Sequence, residues 1–285
     1  MNLLIVGKHS YIGCHIGKLA ETYGASVEYL SVRDDTWKSY NIHRFDAVVF
    51  AAAIVHRKDA DWEEYNAVNV CLPHAFASEA KAQGVKHFLF LSTAAVYGAE
   101  KEIPGRIIDG NTPLKPQSNY GKSKLEAEHL LQALASDAFT VSILRPMNVY
   151  GKGCPGGYIS KFQTLTSLLP VLPDAYRHVK QGMVHVDHLS RLAWMILENK
   201  RGGIYHAQDP CPISSIELME AISAARGKRK PSIPCSWAIR PLEHFSPIKK
   251  LFGGVAYAQE LAHCTMGTYA NITTQQGIQT MVEES

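Results

Sequence analysis

The fold is decided by the stretch Leu3-Leu4-Ile5-Val6-Gly7-Lys8-His9-Ser10-Tyr11-Ile12-Gly13. Its apolar start predicts a buried strand, and apolar residues at helical spacing from Ile12 to Tyr23 predict a helix after the turn. A pyrophosphate that binds at such a helix start needs glycine in the tight turn and where helix meets strand, because backbone N–H groups must reach it. Gly7 and Gly13 meet this need, whereas Ser10 replaces the usual middle glycine. A plain strand-turn-helix connection fits the same residues about equally well.

The end of the second predicted strand bears on the identity of a dinucleotide. NAD-binding folds usually place Asp or Glu there to accept hydrogen bonds from the adenosine ribose. Ser31 occupies that position, and Arg33 follows where a guanidinium could pair with a 2′-phosphate. This slightly favours NADP over NAD; in the alternative, Asp34 or Asp35 serves NAD and Arg33 faces water. The predicted NAD(P) contacts in these two stretches are Gly7, Lys8, His9, Ser10, Tyr11, Ile12, Gly13, Ser31 and Arg33.

Short β-rich runs alternate with helical patterns over the first two thirds of the chain. The predicted strands are Leu3 to Val6, Ser26 to Val32, Ala47 to Ala51, His87 to Leu91 and Val141 to Leu144. The predicted helices between them are Ile12 to Tyr23, Asn66 to Gln83 and Asn119 to Ala135. This order predicts an α/β fold with a doubly wound parallel sheet of the Rossmann type, followed by a small C-terminal substrate-binding cap.

The alternation of strand and helix patterns ends after Arg145, and the stretch Gly151 to Gly157 is rich in glycine. We assign residues 1–150, with parts of 182–210, to the dinucleotide-binding domain. Residues 151–181 and 211–285 form the predicted substrate-binding region. Within it, Ile213 to Arg226 is predicted to be a helix with Ser214 or Ser215 as its N-cap and Gly227 as its stop.

Composition excludes several function classes for this 285-residue chain. Its formal net charge of +3 is too small to indicate nucleic-acid binding, and the run Lys228-Arg229-Lys230 is interpreted as a solvated loop. The six cysteines include no Cys-x-x-Cys pair, so we expect reduced thiols and no metal site. The apolar run Met1 to Gly7 is too short and uncharged for a signal peptide, and no apolar stretch approaches a length of about 20 residues, so we expect no membrane partner and a cytoplasmic location.

The chemical motif begins with Asn119-Tyr120-Gly121-Lys122-Ser123-Lys124 at the start of a predicted helix. Tyr120 and Lys124 are four apart and project from one face. A phenol with a pKa of about 10 is a poor base at neutral pH unless a cation stabilises its phenolate, and Lys124 could supply that charge. Upstream, Thr93 follows an apolar strand whose end would face a ligand crevice. A chance pair on an amphipathic helix, and a threonine that merely caps a strand end, are the alternatives.

Seven elements in order resemble the NAD-dependent epimerase/dehydratase group of extended short-chain dehydrogenases. They are Gly7 to Gly13, Ala51-Ala52-Ala53, Asn69-Val70, Ser92-Thr93 to Gly98, Tyr120 to Lys124, Leu144 to Gly151 and Val184 to Leu189. The resemblance implies that Thr93, Tyr120 and Lys124 are catalytic and that Lys124 also binds the nicotinamide ribose. It adds these cofactor contacts: Ala51, Ala52, Ala53, Asn69, Leu91, Ser92, Tyr120, Lys124, Arg145 and Pro146. The implied substrate is a nucleotide-diphosphate sugar, and a homodimer is the implied assembly. The implied substrate contacts are Thr93, Ala94, Asn148, Lys161, Arg177 and Gln181.

Two departures from the family pattern narrow the function. Sugar 4,6-dehydratases follow the threonine with Asp-Glu, whereas this chain has Ala94-Ala95, as in hexose 4-epimerases. Gln181 stands where members of the family tend to have an arginine that binds a substrate phosphate. We therefore expect a nucleotide-sugar 4-epimerase, with an NADPH-dependent 4-keto-sugar reductase as the alternative. A cofactor-sensing module without catalysis is a third hypothesis.

Overall fold

The computed structural model describes residues 1–55, 57, 59–98, 101–155, 158–262 and 269–283, so that Cys264 lies outside the described residues. The chain forms two compact units. Unit 1 comprises residues 1–99, 113–146 and 189–207. Unit 2 comprises residues 100–112, 147–188 and 208–285. No described helix has both the length and the apolar character needed to cross a membrane.

The described strands and helices alternate through unit 1, and the described strands of unit 2 are shorter than those of unit 1. The strands are β1 (Asn2–Val6), β2 (Ser26–Leu30), β3 (Ala47–Phe50), β4 (His87–Leu91), β5 (Arg106–Ile108), β6 (Thr140–Pro146), β7 (Asn148–Tyr150), β8 (Leu172–Asp174), β9 (Met183–His185), β10 (Gly203–Ala207), β11 (Ser232–Pro234) and β12 (Val255–Tyr257). The α-helices are α1 (Tyr11–Thr22), α2 (Trp62–Asn66), α3 (Leu72–Ala82), α4 (Asn119–Ala133), α5 (Tyr158–Leu168), α6 (Val186–Glu198), α7 (Ser215–Ala225), α8 (Ser236–Ile239), α9 (Ser246–Phe252), α10 (Gln259–Ala262) and α11 (Thr274–Glu283). Single turns of 3-10 helix span Asp35–Ser39, Ala94–Tyr97 and Arg240–Leu242, and a π-helical turn spans Ala67–Cys71.

The described part of unit 1 contains a six-stranded parallel sheet in the order β10-β6-β4-β3-β1-β2. The chain runs from β1 outward to β2 and then crosses to β3 on the other side of β1. Parallel sheets with such a reversal bind ligands beyond the carboxyl ends of the strands that flank it. The predicted α/β class with a doubly wound Rossmann sheet is therefore confirmed.

Large aromatic side chains fill the core of unit 1 because both faces of its sheet are covered. The ring of Phe50 lies 5.8 Å from Phe76 on α3 and 5.9 Å from Phe88 on β4, measured between ring centroids. A further centroid distance of 6.4 Å joins it to Phe90. This packing fixes the ends of β3 and β4, from which the candidate site is built.

Unit 2 holds small paired strands and a helical core. Each pair within it is parallel: β7 with β9, β8 with β11, and β5 with β12. Residues 100–112 belong to unit 2, whereas the sequence analysis placed them in the first domain. The difference arises because β5 is only three residues long, and its partner β12 begins at Val255. No local pattern in the sequence signals that pairing.

Helix α7 confirms the predicted helix after Ile213. Ser214, rather than Ser215, is its N-cap, and Ser214 forms a capping box with Glu217. The helix ends before Gly227, whose φ of +68° suits glycine at a helix stop. The α7 face then packs into the apolar core of unit 2 with residues such as Phe162 and Ile278.

A buried carboxylate organises the middle of unit 2. Asp209 accepts hydrogen bonds from the Tyr150 hydroxyl at 2.7 Å and from the backbone N–H of His185 at 3.1 Å. Its Oδ1 atom also lies 2.7 Å from the Nδ1 atom of His188. Burial, followed by the Asp209 charge, raises the pKa of Tyr150 well above its usual range. Tyr150 and His188 lie in two of the elements that resemble the family, and here both side chains bind the buried Asp209 carboxylate.

Candidate active site

The glycine turn after β1 has the close packing that a dinucleotide cradle requires. Gly7 has a φ of +108°, and a Cβ atom added there would lie 2.8 Å from the backbone nitrogen of Ala52. At Gly13 an added Cβ would lie 2.9 Å from the Ile5 side chain, so glycine allows α1 to approach β1. These two positions fit the glycine requirement of a bound pyrophosphate.

Ser10 has a function that the sequence comparison with a middle glycine did not show. It is the N-cap of α1, and its hydroxyl accepts a hydrogen bond from the backbone N–H of Gly13 at 3.1 Å. The serine thus stabilises the helix start at which a phosphate would bind. Lys8 and His9 are exposed in the same turn, and Tyr11 and Ile12 open the helix.

The loop after β3 is held by a side chain on the π-helical turn. Asn69 is buried; its Oδ1 accepts from the backbone N–H of Ile54 at 2.9 Å, and its Nδ2 donates to the Ile54 carbonyl at 3.0 Å. The same Nδ2 donates to the Ser123 hydroxyl on α4 at 3.1 Å. Asn69 therefore links the predicted cofactor loop Ala51-Ala52-Ala53 to the helix that carries Tyr120 and Lys124. π-turns are rare and often occur at functional sites.

The residues after β2 divide into engaged carboxylates and an open cation. Asp34 accepts from the backbone N–H of Thr36 at 3.1 Å, and Asp35 pairs with Lys38 at 2.9 Å. Hydrogen bonds from Thr36 lower the pKa of Asp34. Arg33 is exposed, and its guanidinium contacts no acidic side chain among the described residues. Its backbone N–H donates to the Ser31 hydroxyl at 3.4 Å.

Thr93 stands directly after β4, at the start of the 3-10 turn Ala94–Tyr97. Its hydroxyl accepts from the backbone N–H of Ala95 at 3.2 Å and also forms a hydrogen bond with the Tyr120 side chain. Leu91 and Ser92, at the end of β4, precede it, and buried Ala94 follows it. The end of β4 therefore places the Thr93 hydroxyl next to the Tyr120 phenol.

Tyr120 is placed by the local geometry at the start of α4. The Ser118 hydroxyl caps this helix by accepting from the backbone N–H of Gly121 at 3.1 Å. A Cβ atom at Gly121 would lie 2.7 Å from the carbonyl oxygen of Ala95, so only glycine lets α4 come this close to the 3-10 turn. Burial raises the pKa of Tyr120 to about 12, and the hydrogen bond from Thr93 opposes that rise.

Lys124 lies one turn further along α4 and is almost completely buried. Its Nζ donates to the carbonyl oxygen of Leu91 at 2.8 Å and lies 4.3 Å from the ring centroid of Phe90. Burial lowers the pKa of Lys124 to about 7, and the charge of Glu128 opposes that fall. The helix therefore carries both a phenol and an amine, and burial favours the neutral form of each. It raises the pKa of the phenol and lowers the pKa of the amine.

Glu128 was not predicted from the sequence, although it continues the i, i+4 series from Tyr120 and Lys124. Its carboxylate binds the guanidinium of Arg145 on β6 by two hydrogen bonds of 3.0 and 2.5 Å. It also accepts a short hydrogen bond from the Ser92 hydroxyl. The predicted cofactor residues Ser92 and Arg145 thus converge on a buried carboxylate behind Lys124, and Pro146 ends the same strand.

The buried network continues away from Glu128. The Arg145 Nη1 donates to the Tyr97 hydroxyl at 2.7 Å, and that hydroxyl lies 2.8 Å from Nε2 of His206. Burial, followed by the Arg145 charge, lowers the pKa of His206 to about 4, so the imidazole is neutral at physiological pH. The network connects the ends of β4, β6 and β10.

The predicted substrate residues of unit 2 differ in their engagement. Asn148 and Lys161 are exposed. Arg177 pairs with Asp174 at 2.9 Å and with Glu220 at 2.6 Å. Its charge is therefore already compensated within unit 2.

Gln181 is buried and part of a chain of side chains. Its Oε1 accepts from the Tyr158 hydroxyl at 2.5 Å, while its Nε2 has no partner among the described residues. Lys101 donates to the same hydroxyl at 2.6 Å, and burial lowers the pKa of Lys101 to about 7. Neighbouring Lys180 pairs with Glu217 at 2.5 Å. Lys101 was missed in the sequence because no spacing links it to Gln181.

Comparison with known proteins decides the family. A model of the NAD dependent epimerase/dehydratase family matches residues 3–207. The chain belongs to this family. The resemblance to the extended short-chain dehydrogenase type found in the sequence is therefore confirmed.

Relatives of this epimerase/dehydratase family chain include two proteins named as 4-epimerases. The chain is 28% identical over 213 residues to UDP-glucose 4-epimerase of Vibrio cholerae. This match covers 72% of this chain and 63% of that protein. It is 26% identical over 252 residues to N-acetyl-alpha-D-glucosaminyl-diphospho-ditrans,octacis-undecaprenol 4-epimerase of Escherichia coli O157:H7, which covers 81% of this chain and 74% of that protein. The chain thus spans less than two thirds of the Vibrio cholerae enzyme.

Among solved structures, a dTDP-4-dehydrorhamnose reductase from Clostridium acetobutylicum has the same fold. The TM-score is 0.76 at 20% identity, and the match covers 100% of this chain and 99% of that one. At this identity the likeness concerns the fold. Epimerases and reductases therefore share the architecture of this chain.

Proposed function

We propose that the chain is a nucleotide-sugar 4-epimerase that oxidises and re-reduces C4 of a diphosphate-linked hexose. The observation that carries this proposal is the grouping of half-buried Thr93 with buried Tyr120 and Lys124 at the carboxyl end of β4. Nothing in an architectural role requires a phenol hydrogen-bonded to a threonine beside a buried amine. Proton transfer at an alcohol requires such a group.

In this mechanism Tyr120 moves the proton at the C4 hydroxyl of the sugar. NAD(P), when bound, supplies the acceptor and donor of hydride. Thr93 holds the same sugar oxygen, since its hydroxyl already bonds to Tyr120. Protonated Lys124 stabilises the phenolate form of Tyr120, because a nearby cation lowers the pKa of a phenol. The contact of Lys124 with the nicotinamide ribose, implied by the family resemblance, stays a prediction.

The residues beside Thr93 argue against dehydration. Elimination of water from the sugar needs an additional acid and base. Ala94 and Ala95 occupy those positions and carry no titratable group, and both belong to the 3-10 turn next to Tyr120. The named 4-epimerase relatives support the same choice.

For the substrate, we propose a sugar linked through a diphosphate, as in the names of both epimerase relatives. Asn148, Lys161, Arg177 and Gln181 remain the proposed contacts in unit 2. The unpartnered Nε2 of Gln181 is a donor available to a phosphate oxygen. A homodimer and a cytoplasmic location stay predictions.

A 4-keto-sugar reductase is the second candidate, and Arg33 is the observation in its favour. The guanidinium is exposed, while Asp34 and Asp35 are engaged in local contacts. An open cation at this position suits the 2′-phosphate of NADPH. A reductase would use Thr93, Tyr120 and Lys124 in one direction only. A module that senses cofactor without catalysis has no use for the complete catalytic group.

The deciding experiment has two parts. The purified chain is denatured, and the released nucleotide is identified by chromatography. Native protein is then incubated with UDP-glucose, and formation of UDP-galactose is followed by proton NMR. Retained NAD with epimerisation supports the first proposal. Exchangeable NADPH, consumed only with a 4-keto sugar, supports the reductase, and turnover in neither assay contradicts both.

A further inference from the structure

The segment from Arg226 to Lys250 lies entirely on the outside of unit 2. It contains β11, α8, the 3-10 turn Arg240–Leu242 and most of α9, and none of its residues is buried. Four of its large apolar side chains are exposed, by 56% at Ile233, 80% at Trp237, 45% at Leu242 and 61% at Phe245. Single exposed apolar residues are normal, whereas four within one segment indicate an interaction surface.

The charge of this segment is as unusual as its apolar content. Its seven cations are Arg226, Lys228, Arg229, Lys230, Arg240, Lys249 and Lys250. Glu243 is its one carboxylate, so the segment carries a net charge of +6 while the whole chain carries +3. The rest of the chain is therefore negative by 3.

Two cations of the segment hydrogen-bond to backbone carbonyls. Lys230 donates to the carbonyl oxygens of Thr166 and Leu169, and Arg226 donates to that of Gln163, but carbonyls do not neutralise them. No residue of the segment forms an ion pair with a carboxylate elsewhere in the described ranges. The run Lys228-Arg229-Lys230, interpreted from sequence as a solvated loop, is thus one part of a larger basic and apolar surface.

The backbone of the segment is fixed at several points. Strand β11 pairs with β8, and the Tyr176 hydroxyl donates to the Glu243 carboxylate at 2.7 Å. The backbone N–H of Tyr176 donates to the Ser236 hydroxyl at 3.3 Å. The exposed side chains therefore project from an anchored backbone, which reduces the entropy lost on binding a partner.

We propose that the segment from Arg226 to Lys250 binds the surface of an anionic lipid bilayer. Trp237, Phe245 and their apolar neighbours would enter the boundary between headgroups and acyl chains, while the cations face lipid phosphates. Interfacial elements combine aromatic and aliphatic residues with Lys and Arg in this way. Such binding is peripheral and needs no membrane-spanning helix.

The charge argues for a bilayer over two other occupants. A second copy of the chain docking through the same face would bring two charges of +6 together, and like charges oppose association. A nucleic acid would not account for four exposed apolar side chains. An acidic protein partner shares the charge complementarity and is therefore distinguished by the test, in which lipid vesicles alone must suffice.

The test uses the full chain and vesicles that are sedimented after mixing. Vesicles of phosphatidylcholine are compared with vesicles that also contain phosphatidylglycerol. We expect binding only to the anionic vesicles, and weaker binding as salt is raised. Replacing two cations in Lys249→Gln/Lys250→Gln should reduce the vesicle affinity by about thirtyfold, since each basic residue near an anionic surface contributes about a factor of five.

Matched variants separate the surface from general effects. Trp237→Ser/Phe245→Ser should reduce vesicle binding, whereas Leu130→Ser, at an exposed apolar residue of α4 in unit 1, should leave it unchanged. Lys18→Gln/Lys86→Gln removes the same charge from exposed positions in unit 1 and should have little effect. Turnover without vesicles should be retained in all four, so the outcome is independent of the proposed reaction. Equal binding to both vesicle types, no binding at all, or segment variants that bind like wild type would overturn the proposal.

Discussion

The guanidinium of Arg145 and the carboxylate of Glu128 form a two-pronged ion pair in which both side chains are almost fully buried. Glu128 lies one helical turn beyond Lys124, so the pair stands directly behind the amine of the catalytic group. Breaking a buried pair by removing one partner is strongly destabilising, because the other charge is left uncompensated.

Glu128→Gln is expected to lower the pKa of Lys124 below about 7, because the carboxylate favours the ammonium form and its loss also exposes Lys124 to the Arg145 charge. Carbon-13 NMR of labelled lysine side chains measures this titration directly. The free energy of unfolding should fall by about 3 to 5 kcal/mol, as measured in urea. Glu126→Gln, on the exposed side of the same helix, is the control. An unchanged Lys124 titration in Glu128→Gln would show that the pair has only a structural function.

Lys124→Met is expected to abolish turnover while changing the pH dependence of stability. Burial lowers the pKa of Lys124 to about 7 in the folded chain, against about 10.4 when unfolded. Between these values the unfolded chain holds one more proton, so this group makes stability rise as pH rises and lowers stability as pH falls towards 7. The stability of wild type relative to Lys124→Met should therefore increase by about 1.4 kcal/mol per pH unit in this window. A difference that does not vary with pH would mean that Lys124 is protonated throughout.

Tyr120→Phe is expected to reduce kcat by a factor on the order of 100 to 10,000, because the proton-transfer group is lost. Cofactor affinity should be nearly unchanged, since little volume is removed. Steady-state kinetics and a cofactor titration measure the two effects. Tyr205→Phe removes a hydroxyl from another buried tyrosine of unit 1 and should retain turnover. Full activity in Tyr120→Phe would rule out its catalytic assignment.

Arg33→Ala is expected to weaken NADP(H) binding by about tenfold to a hundredfold and to leave NAD(H) nearly unaffected. Charge-assisted hydrogen bonds to a 2′-phosphate contribute about 1.5 to 3 kcal/mol, whereas NAD offers only a hydroxyl. Lys8, exposed in the glycine turn, could hold the same phosphate. The double variant Arg33→Ala/Lys8→Ala is therefore titrated beside it. A wild type that prefers NAD(H), or an unmoved affinity ratio in both variants, removes the support for NADP.

Gly121→Ala is expected to destabilise the chain by about 1 to 3 kcal/mol, because its Cβ would lie 2.7 Å from the Ala95 carbonyl oxygen. Helix α4 must then move away from the 3-10 turn, which separates Tyr120 from Thr93. Urea unfolding and kcat together measure both consequences. Gly110→Ala, where an added Cβ meets nothing within 4 Å, is the control. If kcat is retained in Gly121→Ala, the close approach is not needed for catalysis.

The sequence predicted the features of unit 1 that depend on local patterns. Strands β1, β3 and β4 are largely apolar runs, and Tyr120 and Lys124 share a helix face by their spacing alone. Features that depend on distant parts of the chain were missed. Nothing near Arg145 indicates that Glu128 faces it, and nothing near Lys101 indicates that the Tyr158 hydroxyl accepts a hydrogen bond from it. The sequence analysis treated Ser10 only as a replacement for the usual middle glycine, because the glycine motif specifies how much room the backbone needs. The hydrogen bond by which the Ser10 hydroxyl caps α1 is visible only in the folded turn.

The position of β10 has a consequence for the order in which the chain can be completed during synthesis. This strand forms one edge of the unit 1 sheet, beside β6, yet residues 147–188 between the two strands belong to unit 2. Until residue 207 leaves the ribosome, β6 is the outer strand, and its unpaired backbone groups and apolar side chains are open to wrong partners. The nascent protein must therefore make a large part of its second unit before it can close the sheet of its first.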